Sequence, residues 1–88
     1  MSDTRWVVYL VECADGTLYC GVTNDLERRI SMHDAGTGAR YTRGRGPVRL
    51  VGRRNGLSRS AALTLEARTK RARRSDKAAT LESWEISD

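Results

Sequence analysis

The apolar positions of this chain fall into short, separated groups. Residues 6–13 (WVVYLVEC) and 18–22 (LYCGV) are β-branched and aromatic, and Ala14-Asp15-Gly16-Thr17 separates them. That pattern predicts a β-hairpin. Its register matters, because a slip of one residue moves every side chain to the opposite face. A two-residue Asp15-Gly16 turn pairs positions whose numbers sum to 31 and puts Tyr9 and Tyr19 on opposite faces. A three-residue loop from Ala14 to Gly16, with Gly16 left-handed, gives a sum of 30. Val8, Leu10, Leu18, Cys20 and Val22 then make one apolar face. Tyr9, Val11, Tyr19, Gly21 and Thr23 make the other, with Gly21 opposite Tyr9. The second register sorts the residues better by polarity and is the one predicted.

Asn24 can cap a helix, with Glu27 three residues later completing a capping-box-like start. The helix is expected to reach about Asp34, with Leu26 and Ile30 as core contacts and Gly36 as its stop. Arg29 and His33, four apart, share a neighbouring stripe. Residues 36–47 (GTGARYTRGRGP) are too rich in glycine for a regular element and read as a loop. Val48 to Val51 alternates as a third strand. Ser58 or Ser60 can cap a second helix to about Arg73, with Ala62, Leu65 and Thr69 inward and Glu66 beside them. A third helix, about 75–86, would bury Leu81 and Trp84. The predicted order is β-β-α-β-α-α, an α+β arrangement in a single domain spanning residues 1–88, without repeat or linker.

Charge changes this picture. Residues 1–27 hold one basic side chain, Arg5, against five acidic ones. Residues 28–77 hold fifteen basic against three acidic (Asp34, Glu66 and Asp76), a net of +12, whereas the whole chain of 88 residues carries only +5. Most of those cations are arginine, the better bidentate phosphate ligand. Segregation on this scale favours a polyanionic partner over a merely solvated face. The run from Trp6 to Val11 is too short for a membrane span or a signal peptide core, so a cytoplasmic chain without membrane contact is expected. Cys13 and Cys20, spaced C-x6-C, match no zinc or redox spacing and read as two apolar thiols.

No nucleophile elbow, phosphate loop or metal-cluster spacing is present. The residues that can carry chemistry are Tyr9 and Tyr19 on one hairpin face, Arg29 and His33 on the first helix, and Glu66 on the second. Phosphodiester hydrolysis suits that set: a base activates water, a cation meets the charge growing on phosphate, and a metal usually stands beside it. A tyrosine, with an ordinary pKa near 10, needs help to act as a base. One carboxylate suffices for Mg²⁺ when phosphate and water complete its shell. Plainer readings exist for each. The tyrosines can be a packing pair, Arg29 can pair with Asp25, His33 can be a helix-end residue, and Glu66 can pair with Lys70.

Val7-Val8-Tyr9, then Tyr19-Cys20-Gly21, then an Arg ten residues beyond the second Tyr and a His four further on, resembles the GIY-YIG nuclease domain. The helical Glu66 falls where that family carries its metal-binding glutamate, and GARYTRGRGPVRLV looks like the small stand-alone bacterial members. The likeness covers about residues 5–77. It implies a three-stranded antiparallel sheet flanked by helices and a metal-dependent endonuclease cutting DNA with low sequence specificity, on single-stranded or branched structures, in repair or processing. By position, Tyr9 would activate or orient the attacking water, Tyr19 would hold the scissile phosphate and Arg29 would stabilise its charge. His33 would assist proton transfer near Tyr9, and Glu66 would bind one Mg²⁺ or Mn²⁺. Arg28, Arg40, Tyr41, Arg43 and Arg45 are the expected nucleic-acid contacts. DNA, or RNA in its place, is the implied partner, with a partner protein as a source of specificity and a monomer or weak oligomer as the assembly. The first triplet lacks its glycine, the second has Cys20 for an aliphatic residue, and no Asn follows Glu66. A module that binds nucleic acid without cutting it is the alternative, and a small basic protein of ribosomal RNA is a third reading.

Overall fold

The computed structural model describes residues 3–36 and 46–83. Strands β1 (Trp6–Glu12) and β2 (Leu18–Thr23) form the hairpin, followed by helix α1 (Leu26–Asp34) and strand β3 (Arg49–Leu57). Helix α2 (Arg59–Arg71), a 3-10 turn (Arg74–Asp76) and helix α3 (Lys77–Ser83) complete the order. The sheet is antiparallel, with β1 between β2 and β3.

The hairpin takes the predicted register: Tyr9 faces Gly21, Leu10 faces Cys20 and Val11 faces Tyr19. Gly16, at φ +84°, makes the left-handed step that closes the three-residue loop, and the backbone N–H of Cys13 donates to the carbonyl of Thr17 at 2.8 Å. Val8, Leu10 and Cys20 therefore share a face, and α2 and α3 cover it with Ala62, Leu65 and Leu81, joined by Leu57 of β3. Leu10, Leu65 and Leu81 are fully buried, each contributing about 1.5–3 kcal/mol from apolar burial. Ala62, Leu65 and Thr69 are the buried residues of α2, one stripe at helical spacing as predicted. The Thr69 hydroxyl donates to the Leu65 carbonyl at 2.9 Å, which lets a polar side chain sit inside.

Both ends of α2 are secured. Ser58 is the cap, its hydroxyl accepting from the Ala61 N–H at 3.1 Å. At the other end, Lys77 Nζ donates to the carbonyls of Thr69 and Lys70 at 2.9 and 3.0 Å, placing a cation at the negative end of the helix.

Three boundaries differ from the sequence expectation. Asp25, not Asn24, caps α1, its carboxylate accepting from the Arg28 N–H. On α1, Leu26 and Ile30 are only half-buried, and the residue the helix buries is His33. Strand β3 runs on to Leu57 instead of ending at Val51, through polar residues and two glycines that an outer strand tolerates because one of its edges faces solvent. The third helix starts at Lys77 after the 3-10 turn, and the rest of its expected span, including Trp84, lies outside the described residues. Among the described residues Cys13 and Cys20 are free, buried thiols, and no helix is long and apolar enough to cross a membrane.

Candidate active site

The face of the hairpin opposite the core carries the two tyrosines. Tyr9 and Tyr19 are not direct cross-strand partners; they sit on a diagonal, a separation that aromatic side chains can span. Their ring centroids are 6.3 Å apart. Gly21 stands opposite Tyr9, and the phenol ring fills the space a side chain at 21 would take: a Cβ there would overlap the Tyr9 hydroxyl and ring, with Cε1 at 2.9 Å. The glycine is what admits Tyr9 in this rotamer.

Helix α1 meets this face through the pair spaced one turn apart. His33 packs its ring 5.7 Å from that of Tyr9 and 5.4 Å from that of Tyr19, centroid to centroid. Its Nε2 lies 2.8 Å from the Tyr9 hydroxyl. Arg29 Nε donates to the same oxygen at 3.4 Å, the long end of hydrogen-bond range. The guanidinium of Arg29 thus serves Tyr9, while its backbone N–H donates to the Asp25 carbonyl as part of the helix. Tyr9 and His33 are 0% exposed; Tyr19 and Arg29 are half-buried and border solvent.

The electrostatics follow from this burial. Desolvation pushes the Tyr9 phenol up to about 12, against the pull of Arg29 toward the phenolate. Burial, then the Arg29 charge, holds His33 below its ordinary value, so the imidazole is neutral at pH 7. In the Nδ1–H tautomer its Nε2 accepts the phenol proton while Arg29 donates to the phenol oxygen. The hydrogen bond to Tyr9 raises the Arg29 guanidinium above its ordinary value, with Tyr19 adding to the same effect.

Glu66 approaches from α2. It stands near β2, where its charge acts on the thiol of Cys20, which burial has already pushed up to about 12. Its carboxylate is 3.6 Å from Lys70 Nζ, the i,i+4 pairing weighed from the sequence. Lys70 Nζ in turn lies 6.0 Å from the centroid of the Tyr19 ring. Tyr9, Tyr19, Arg29 and His33 therefore form one contact cluster, and Glu66 is joined to it through Lys70.

Of the expected nucleic-acid contacts, Arg28 is exposed on α1 and lines a shallow depression with Thr23, Asn24, Asp25, Arg29 and Met32. Arg40, Tyr41, Arg43 and Arg45 lie outside the described residues. Sequence reasoning missed Arg53. It is exposed and pairs with Tyr9 across β1 and β3, which puts it on the tyrosine face. Ending the third strand at Val51 concealed it.

Residues 5–79 match the GIY-YIG catalytic domain. The chain belongs to the GIY-YIG family. That is a family of nucleases. A UPF0213 protein of Nitratidesulfovibrio vulgaris is 52% identical over 80 residues, covering 91% of this chain and 73% of the relative. One from Halobacterium salinarum is 49% identical over 72 residues, covering 82% and 94%. Two solution NMR structures share the GIY-YIG fold seen here. A UPF0213 protein from Bacillus halodurans is 46% identical with a TM-score of 0.51, over 82% of this chain and 77% of that one. A protein from E. faecalis is 35% identical with a TM-score of 0.61, over 94% and 90%.

Proposed function

We propose that this chain is a metal-dependent endonuclease that hydrolyses phosphodiester bonds of DNA with low sequence specificity, selecting single-stranded or branched structures in repair or processing. The observation that carries the reading is the Tyr9 hydroxyl, held between the neutral His33 Nε2 at 2.8 Å and the charged Arg29 at 3.4 Å. A phenol with its pKa near 12 is a poor base alone. Coupled to an acceptor, it can take a proton from water while passing its own to His33. The water oxygen forms its bond to phosphorus, the P–O bond to the departing sugar oxygen breaks, and that oxygen collects a proton from solvent.

Arg29 does two things in turn. Its long bond to Tyr9 is readily exchanged for a phosphate oxygen, and leaving Tyr9 opens the hydroxyl to water. On the phosphate it meets the charge that grows in the transition state. Tyr19, half-buried beside it, holds the phosphate, and Arg28, Arg53 and the arginines at 40, 43 and 45 with Tyr41 follow the backbone.

Glu66 is the residue to hold the metal. Among the described residues no three His, Cys, Asp or Glu side chains cluster into a closed site. A single partly exposed carboxylate, 21% accessible, suits instead a hard cation that keeps waters and takes substrate phosphate as ligand, as Mg²⁺ and Mn²⁺ do. Held there, such an ion would supply Lewis-acid stabilisation of the charge that builds on the phosphate.

The complete burial of Tyr9 and His33 favours a second reading, a nucleic-acid-binding module whose tyrosine only packs. Labelled single-stranded DNA, duplex, flap, four-way junction and RNA, each with Mg²⁺, Mn²⁺ or EDTA, separate the two. Metal-dependent cutting that Glu66→Ala abolishes supports the enzyme and identifies its substrate. Binding to these substrates with no cutting in either metal establishes the module.

A further inference from the structure

Lys70 stands at the junction of the two halves of the site. Its ammonium is 3.6 Å from Glu66 Oε2 and 6.0 Å from the Tyr19 ring. A pocket of about 280 Å³ lined by Leu18, Tyr19, Cys20, Lys70 and Lys77 opens alongside it. The two lysines of this pocket differ. Lys77 is anchored on two helix carbonyls, at 2.9 and 3.0 Å, and serves to end α2. Lys70 makes one ion pair through a side chain that is 52% exposed, on a helix fixed at both ends. Of the two, it is the charge able to relocate.

We propose that Lys70 is a placeholder for the metal: it occupies Glu66 in the free protein and is drawn off by the substrate phosphate, so that metal and DNA load together. The inference rests on Glu66 being the metal-binding carboxylate. A unit positive charge beside that carboxylate opposes a divalent ion. A phosphate held at Tyr19 lies within the sweep of the same lysine, whose compact ammonium on a four-carbon stem can change partners without the planar fit that Arg requires. Moving Lys70 from Glu66 to phosphate removes the repulsion and adds a contact to substrate in one step. By linkage, DNA must then tighten metal binding by the factor with which metal tightens DNA binding.

The test is direct metal binding, measured by calorimetry with Mn²⁺ on metal-stripped wild type, Lys70→Met, Lys70→Arg and Glu66→Gln. Each is titrated alone and with a cleavage-resistant phosphorothioate single strand. Removing a unit charge about 4 Å from the carboxylate should tighten Mn²⁺ binding by roughly two- to fivefold in the absence of DNA, the worth of one largely exposed ion pair. Lys70→Arg should return to the wild-type value, and DNA should tighten Mn²⁺ binding in wild type but not in Lys70→Met. Equal Mn²⁺ affinity in wild type and Lys70→Met, or none detectable in Lys70→Met alone, with binding lost in Glu66→Gln, overturns the placeholder role and leaves Glu66 as the metal ligand. Unchanged affinity in Glu66→Gln overturns the metal role of Glu66 itself, and the placeholder with it.

Discussion

Gly21 lies directly across the hairpin from Tyr9, and the phenol of Tyr9 occupies the volume that any side chain at 21 would need. The collision involves a ring packed against His33 and bonded through its hydroxyl, not the end of a flexible chain. Gly21→Ala should therefore cost about 1–3 kcal/mol, the range for forcing a methyl into a filled core. It should also move the hydroxyl off His33 and Arg29. Urea unfolding and a cleavage assay read the two effects, and we expect activity to fall further than stability alone accounts for. A variant as stable and as active as the wild type would show that the ring has room to move.

Tyr9→Phe isolates the hydroxyl. The ring keeps its packing, but His33 Nε2 loses its buried partner, at a cost of about 1–3 kcal/mol. If the phenol relays a proton, turnover should fall about 10²–10⁴-fold with substrate binding nearly unchanged. Retained turnover in this variant would make Tyr9 a packing residue.

His33 gives the protein a pH signature. Its pKa in the folded state lies below the ordinary 6.5, so folding favours the neutral ring. The stability this contributes is present above pH 6.5 and is lost as pH falls through the lowered folded value. Asp3 and Glu12, held below ordinary values of 3.8 and 4.5 by their arginine partners, lose their contribution only at still lower pH. Urea midpoints should therefore decline from about pH 6.5 downward, and His33→Phe should flatten the part of the decline that lies above the carboxylate range. Turnover should fall over the same acid range, since a protonated His33 cannot accept from Tyr9. A decline identical in the variant would assign the effect elsewhere.

The hairpin and its register were legible because one residue decided them: only a loop ending in a left-handed Gly16 brings Gly21 opposite Tyr9 and keeps the apolar set on one side. The α2 stripe of Ala62, Leu65 and Thr69 was legible from helical spacing. What escaped were features that pattern does not encode. From sequence strand β3 ends at Val51, because the apolar alternation stops there and Gly52, Asn55 and Gly56 disfavour strand, yet pairing with β1 carries it to Leu57. Helix α1 looked anchored by Leu26 and Ile30, but the face it meets is the aromatic one, where the buried partner of a phenol is an imidazole. The Glu66–Lys70 pair was visible at its spacing; its approach to Tyr19 depends on how α2 packs against β2, which no local spacing conveys.

Neighbouring arginines on α1 should behave differently, and that difference tests the site as a whole. Arg29 reaches inward to the Tyr9 oxygen, while the exposed Arg28 points to the shallow depression at the start of the helix. If Arg29 meets charge that develops only in the transition state, Arg29→Ala should lower turnover about 10²–10³-fold, comparable to losing one oxyanion donor, and change DNA affinity little. Arg28→Ala should instead weaken binding with turnover preserved, reducing the dependence of log K on log salt by about one unit on duplex DNA. The comparison needs only saturating-substrate rates and binding titrations at several salt concentrations. Equal losses of affinity in the two variants, with turnover intact in both, would reduce Arg29 to a backbone contact and leave Tyr9 and His33 without the cation their chemistry requires.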